Sequence, residues 1–313
     1  MKEIIGYLKT FIREDFNYKT YLFTAIFLTI AIYFNYTYGF ERKLVIRHYG
    51  TFQGYIFSFL FYSLAYYSIA IPKFLIEKKK QYLLKSEFWI KSLVFISLIG
   101  AVGAFNSYKS IIDLFDLNGG FYYWMKILAN SKRMVFYIIP LLIIKYVYDR
   151  QSKGLYGLQS KGFHWKPYFT MLLIMLPLIT WASFQDDFLR TYPTIKLWKM
   201  NEVWGISKSQ MAIIYELIYG WDFIFVELIF RGALVIGLAT IIGKDAILPM
   251  VSVYAFLHFG KPLGETLGSI FGGYILGVIA LYTKNILGGC VIHIGVAYLM
   301  EAAAFVQYLF IKN

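Results

Sequence analysis

The residues of this chain that could carry chemistry lie inside apolar sequence. Glu227 and Arg231 stand four residues apart in the run WDFIFVELIFRGALVIGL (Trp221–Leu238), which also contains Asp222. A charged side chain near the centre of a bilayer costs at least ~2.5–3.5 kcal/mol, so such residues are usually buried in protein and functional. At a spacing of four residues, Glu227 and Arg231 share one helix face and are expected to pair.

Two histidines follow on later apolar stretches. His258 ends the sequence YAFLH, and His293 lies within GGCVIHIGVA. A carboxylate and two imidazoles on neighbouring membrane helices could activate a water for attack on a peptide carbonyl, or one imidazole could stabilise the oxyanion by donating a hydrogen bond. Arg231 would hold Glu227 ionised and oriented, and exclusion of bulk water would strengthen these interactions.

The same residues also have structural explanations. Glu227 and Arg231 could be an ion pair that fixes helix packing, and each histidine could be a hydrogen-bonded core residue. A divalent metal is a further alternative, because Glu227, His258, His293 and one more carboxylate would satisfy zinc in number. No two of them show the close spacing of H-E-x-x-H. We therefore expect no cofactor, with a divalent metal as the lesser alternative.

The composition indicates a multi-pass helical membrane protein. Of the 313 residues, 59% are hydrophobic and 16% are charged, against about 45–50% and about 25% in soluble domains. The net charge of +13 fits the positive-inside bias and attraction to anionic lipids. Nucleic acid is not an expected partner, since the basic residues are scattered among loops. The single cysteine, Cys290, excludes an internal disulfide and a cysteine-based metal cluster.

The apolar pattern predicts an all-α polytopic membrane bundle of about eight or nine spans. An amphipathic helix at the membrane surface is expected over residues 2–18. Spans are expected near residues 21–39, 53–75, 90–105, 134–149, 168–185, 211–241, 246–259, 264–283 and 286–310. The long stretch 211–241 is expected to break near Gly220. The basic block Glu77–Lys80 favours a cytoplasmic N-terminus, and we expect a bacterial inner membrane.

The two halves of the chain differ in the placement of their polar residues. Residues 1–150 are expected to hold the interfacial helix and about four spans, with charges mostly in loops. Residues 151–167 form a basic, glycine-containing segment that is typical of a cytoplasmic linker. Residues 168–313 collect polar residues within apolar sequence, so any chemistry is expected there.

This second half resembles the CAAX-protease and bacteriocin-processing family of membrane proteins. The family motifs E-E-x-x-x-R, F-x-x-x-H and H-x-x-x-N correspond, in order, to VELIFRG, YAFLH and HIGVA. The resemblance implies a helical core that hydrolyses a peptide bond in a membrane-associated protein or lipidated peptide. By position, it implies that Glu227 is the second Glu of the pair and Arg231 is the motif Arg. It also implies that His258 helps to activate water and that His293 belongs to the oxyanion hole.

Two positions depart from the family pattern. Val226 stands at the position of the first Glu, and valine cannot act as a base. Ala297 stands at the Asn position and removes a hydrogen-bond donor whose loss costs ~10²–10³ in rate where such a donor matters. Tyr254 in place of Phe is expected to matter little.

Other carboxylates could replace the missing base. Asp222 precedes Val226 by one helical turn and lies about 40° from it around the helix, so Asp222 or Glu227 is the expected base. Glu265 and Glu301 are further candidates.

Three functions remain open. The first is an intramembrane endopeptidase in which Glu227 or Asp222 works with His258 while His293 stabilises the oxyanion. The second is a family member that has lost the activity and acts as a membrane adaptor or scaffold. The third is an ion-coupled transporter that uses the charged cluster as an ion path. Membrane lipids and a membrane protein or lipidated peptide are the expected partners.

Overall fold

The structure, a computed structural model, describes residues 1–150 and 154–312 and is helical almost throughout. No β-strand occurs in these two ranges, so the predicted all-α class is confirmed. A π-helical segment, Leu228–Gly237, joins α10 to α11. The α-helices are α1 (Lys2–Asp15), α2 (Tyr18–Tyr38), α3 (Phe40–Leu44), α4 (Phe52–Ile76), α5 (Ser86–Ala104), α6 (Tyr108–Leu114), α7 (Phe121–Tyr148), α8 (Lys166–Ala182), α9 (Asp186–Thr191), α10 (Lys208–Glu227), α11 (Leu238–Ile242), α12 (Ile247–Leu257), α13 (Leu263–Thr283) and α14 (Leu287–Lys312).

Seven stretches within the described residues are long and apolar enough to cross a membrane, which makes the chain an integral membrane protein. One of them, Lys208–Leu257, folds back on itself. The ring of Phe230 lies 5.0 Å from that of Tyr254, so the π-helical segment and α12 run side by side as the two arms of a hairpin. Helix α8 is a shorter apolar helix.

Helix α10 is unbroken at Gly220, which corrects the predicted break. It begins with a capping box formed by Ser207 and Gln210 and continues to Glu227. A methyl group on Gly220 would overlap the hydroxyl of Tyr298 on α14. The glycine therefore lets two helices approach closely, which is the usual role of small residues in membrane bundles.

Helix α7 begins at Phe121, earlier than the predicted start at residue 134. The prediction missed the first half of the helix because charged and hydrogen-bonding side chains interrupt its apolar sequence. Arg133 pairs with Asp222 of α10, and the side chains of Asn130 and Ser131 donate hydrogen bonds to carbonyls one turn back in their own helix. These partners satisfy the polar groups within the bundle.

The amphipathic helix α1 lies against α13. Ile4 and Phe11 are buried, and Tyr7 stacks on Tyr282 with ring centroids 5.3 Å apart. Ile5 and Ile12 stay exposed on the other side. A helix with apolar residues exposed in this way is suited to the membrane surface, which is the location that the sequence analysis predicted.

A buried ionic cluster joins α1, the end of α4 and the turn of the hairpin. Lys73 lies 3.1 Å from Asp15, 2.8 Å from Glu77 and 3.2 Å from Asp245. Lys79 adds contacts of 2.7 Å to both Glu77 and Asp245. Because each charge has an opposite neighbour, the cluster fixes the point where α11 turns into α12.

The segment predicted as a linker packs against the hairpin. Residues 151–153 of it lie outside the described part of the chain. Tyr156 is fully buried, and methyl groups on Gly232 or Gly237 would crowd it. Its hydroxyl donates to Asp149, which also pairs with Lys91 at 2.6 Å. The division of the chain into two halves at this segment stays a prediction.

Candidate active site

Glu227 and Arg231 form the ion pair that their spacing predicts. Nη1 of Arg231 lies 3.0 Å from Oε1 of Glu227, and both residues are fully buried. The guanidinium carbon of Arg231 is 4.2 Å from the ring centroid of Tyr254, a cation–π contact. The charge of Arg231 is therefore held between the carboxylate and an aromatic face.

Glu227 also contacts the second histidine. Nδ1 of His293 lies 3.0 Å from Oε1 of Glu227. A carboxylate only accepts hydrogen bonds, so Nδ1 carries the proton and Nε2 of the neutral imidazole is unprotonated. A methyl group on Gly289 would overlap the Glu227 carboxylate. Gly289 therefore lets α14 approach closely enough for this contact.

Tyr254 lies between the two histidines. Its hydroxyl oxygen is 3.4 Å from Nε2 of His293, and its ring is 4.6 Å from the ring of His258 in an edge-to-face arrangement. The tyrosine is buried and comes from α12, one turn before His258. The hydroxyl that distinguishes Tyr254 from the phenylalanine of the family motif thus points at a candidate catalytic nitrogen.

His258 caps the end of α12 and is held from both sides. Its Nδ1 is 2.8 Å from the carbonyl oxygen of Tyr254, and a carbonyl can only accept, so Nε2 is again the unprotonated nitrogen. Thr266 donates to the carbonyl of His258 at 2.6 Å. Asn35 of α2 donates to the carbonyl of Phe259 at 3.0 Å. The first half of the chain therefore helps to position this histidine.

Asp222 is paired with a helix that carries neither histidine. Its carboxylate pairs with Arg133 of α7 and is buried. No hydrogen bond or ion pair joins Asp222 to His258 or His293 in the described ranges. The geometry gives Asp222 a partner on a neighbouring helix, and its predicted role as a base stays a prediction.

The two further carboxylates, Glu265 and Glu301, hold the segment that follows α9. Oε2 of Glu265 accepts a hydrogen bond from the hydroxyl of Tyr192 at 2.9 Å. The two carboxylate oxygens of Glu301 accept from the backbone N–H of Thr194 at 2.9 and 3.0 Å. Both carboxylates are therefore occupied by partners in this segment.

The site does not assemble a metal-ligand set from its own residues. Within the described residues, the one group of three carboxylate, imidazole or thiol ligands that converges on a common point is Asp15, Glu77 and Asp245. There the ammonium groups of Lys73 and Lys79 already contact the carboxylates. Lysine side chains therefore already occupy this group, and the expectation of no cofactor stays a prediction.

Comparison with known proteins gives one family match. Residues 209–299 match the family described as Type II CAAX prenyl endopeptidase Rce1-like. The matched segment includes the four motif residues Glu227, Arg231, His258 and His293, and the predicted resemblance is confirmed over it. Searches of curated proteins and of solved structures gave no match to this chain.

Proposed function

We propose that this protein is an intramembrane endopeptidase that hydrolyses a peptide bond of a membrane-associated protein or lipidated peptide. The family match of residues 209–299 supports this class of activity. The observation that carries the proposal is the 3.0 Å contact between Glu227 and Nδ1 of His293. We place the chain in a bacterial inner membrane, with the cytoplasmic N-terminus that the loop charges predict.

In this proposal His293 is the general base. Nε2 of His293 takes a proton from a water whose oxygen forms the new bond to the peptide carbonyl carbon. Glu227 holds the Nδ1 proton and stabilises the imidazolium that results, as a carboxylate does beside a catalytic histidine. The imidazolium then gives the proton to the leaving nitrogen as the C–N bond breaks. This assignment differs from the sequence-based expectation, in which His293 stabilises the oxyanion.

Arg231 and His258 support that chemistry. Arg231 balances the charge of Glu227 in a fully buried place, where a charge without a partner is costly. His258 also has an unprotonated Nε2, and its ring lies beside that of Tyr254. We assign it the role of accepting a hydrogen bond from the attacking water, so that water is oriented toward the carbonyl carbon.

A catalytically impaired adaptor is the second candidate. Val226 is buried in the hydrophobic core at the position of the first motif Glu, and Ala297 is buried at the position of the motif Asn. A protein that kept the fold without these groups would bind a membrane partner without cleaving it.

Cleavage by the reconstituted protein separates these candidates. The full chain is placed in liposomes of phosphatidylethanolamine and phosphatidylglycerol and given a fluorogenic prenylated CAAX peptide. The wild type is expected to release fluorescence, and His293→Ala is expected to lower the rate by at least ~10²-fold. His164→Ala removes an exposed histidine and should leave the rate unchanged. A wild type without cleavage that still retains a stable membrane partner would support the adaptor.

A further inference from the structure

We infer that Tyr254 is the oxyanion donor of this site and replaces the side chain that Ala297 lacks. The inference rests on the proposed function and names one more catalytic residue for it. The motif asparagine is absent from α14, so the developing negative charge on the carbonyl oxygen needs another donor. Tyr254 brings a hydroxyl to the site from α12.

The position of the Tyr254 hydroxyl suits that role. An oxyanion donor works when it lies about 2.7–3.1 Å from the place where the oxyanion forms. That place is next to the attacking water, and the water must itself contact the base. The Tyr254 hydroxyl is 3.4 Å from the base nitrogen of His293, so one reacting carbonyl group can reach both.

The surroundings of Tyr254 favour a hydroxyl that donates. Arg231 places its positive charge over the tyrosine ring, 4.2 Å from the centroid. A cation at this place stabilises the negative charge that grows on the phenolic oxygen as it donates to an anion. The ring is held further by Phe230 at 5.0 Å and His258 at 4.6 Å. Its hydroxyl is therefore positioned before substrate arrives, as electrostatic catalysis requires.

The step balances without a further reactant. Because Nδ1 of His293 carries the proton, the Tyr254 hydroxyl is the donor in its 3.4 Å contact with Nε2 in the resting site. When water attacks, its proton moves to Nε2, the carbonyl π electrons move to the oxygen, and the Tyr254 hydroxyl turns to donate to that oxygen. The oxygen then re-forms the carbonyl as the C–N bond breaks and the imidazolium protonates the amine. Tyr254 keeps its own proton throughout.

The experiment compares removal and replacement of the hydroxyl in the liposome assay with the prenylated CAAX peptide. Tyr254→Phe keeps the ring and its contacts, and should lower kcat by ~10²-fold with little change in KM. Adding Ala297→Asn to Tyr254→Phe should recover most of that loss. Tyr66→Phe is the matched control, because the Tyr66 hydroxyl is fully buried and has no hydrogen-bond partner in the described part of the chain.

The outcomes distinguish this inference from the proposed function. If the wild type cleaves and Tyr254→Phe has the same kcat as Tyr66→Phe, the donor role is overturned while the peptidase stands. If the wild type does not cleave, the proposed function fails and the donor role falls with it. If Tyr254→Phe does not fold, Ala297→Asn alone decides. It should change kcat by no more than about twofold if Tyr254 already donates, and raise it by ~10²-fold if the site lacks a donor.

Discussion

Glu227 and His293 are 66 residues apart in the chain, and their side chains meet at 3.0 Å between Oε1 and Nδ1. The contact joins α10 to α14, with Glu227 fully buried and His293 partly exposed. Because Arg231 approaches the same carboxylate oxygen, one buried carboxylate organises a cation and an imidazole. Helices α10 and α14 and the π-helical segment therefore meet at this one carboxylate.

Removing the charge of Glu227 should abolish catalysis and weaken the fold. Glu227→Gln leaves no charge to stabilise the His293 imidazolium, so kcat should fall by ~10²–10⁴-fold. It also leaves Arg231 buried without a counter-ion, which costs about 3–5 kcal/mol. The double variant Glu227→Gln/Arg231→Met removes the unpaired charge, so its melting temperature should recover while kcat stays low. A Glu227→Gln protein with wild-type kcat would contradict the role of this carboxylate.

A single methyl group at Gly289 should separate α14 from the site. In Gly289→Ala the new methyl would overlap the Glu227 carboxylate, so the contact with His293 should break and cleavage should be lost. Gly272→Ala is the matched control, because a methyl there meets nothing within 4 Å. It should keep full activity and gain up to about 1 kcal/mol from helix propensity. Equal activity of the two variants would argue against the close α10–α14 approach.

Asp222 should prove structural. Asp222→Asn leaves Arg133 without its partner and should lower the melting temperature of the protein. Arg133→Met in the same chain removes the orphaned charge, and the double variant should regain stability because replacing a buried ion pair by apolar groups is often neutral. It should also keep cleavage activity. If the double variant melts like the wild type and cleaves nothing, this structural role is contradicted and Asp222 is the base.

Glu41 should make the stability of the protein depend on pH. Burial raises the pKa of Glu41 from its ordinary value of 4.5 to about 7. The folded protein then binds this proton more tightly than the unfolded chain, so the stabilisation present below pH 4.5 is lost as the pH rises through 7. At about 1.4 kcal/mol per pKa unit, the loss amounts to as much as about 3 kcal/mol.

The test of this dependence is a melting curve at two pH values. The wild type should gain stability from Glu41 at pH 5.5 relative to pH 8, and Glu41→Gln should remove that difference. Oε2 of Glu41 lies 3.5 Å from the position that a methyl group on Gly260 would take. Titration of Glu41 therefore changes the charge beside the loop that follows His258. An unchanged pH dependence in Glu41→Gln would show that Glu41 is ionised at neutral pH.

The sequence predicted the local part of the site and missed the part that depends on packing. The spacing of Glu227 and Arg231 was sufficient to predict their contact, because neighbours on a helix face are fixed by helix geometry. The contact of Glu227 with His293 depends on how closely two distant helices approach. Gly289 permits that approach, but the sequence does not show which helix a glycine will contact.

The same limit explains the errors in the predicted helices. Gly220 was expected to break a helix, and the structure shows that it makes room for Tyr298. The start of α7 was missed because Arg133 looked like a loop residue, and its partner Asp222 is 89 residues away. Tyr254 was expected to matter little because its ring fits the motif. The contact made by its hydroxyl depends on the position of His293, which the sequence does not show. Such partners are far apart in the sequence, so they become visible only in the packed structure.

The most direct test of the central claim is to follow oxygen from water into the product. The wild-type protein in liposomes is given a prenylated CAAX peptide in H₂¹⁸O, and the products are weighed by mass spectrometry. If His293 activates water, the new carboxyl group carries one ¹⁸O atom, and His293→Ala yields no labelled product above background. Cleavage by His293→Ala at the wild-type rate, or no labelled product from the wild type, would contradict the mechanism.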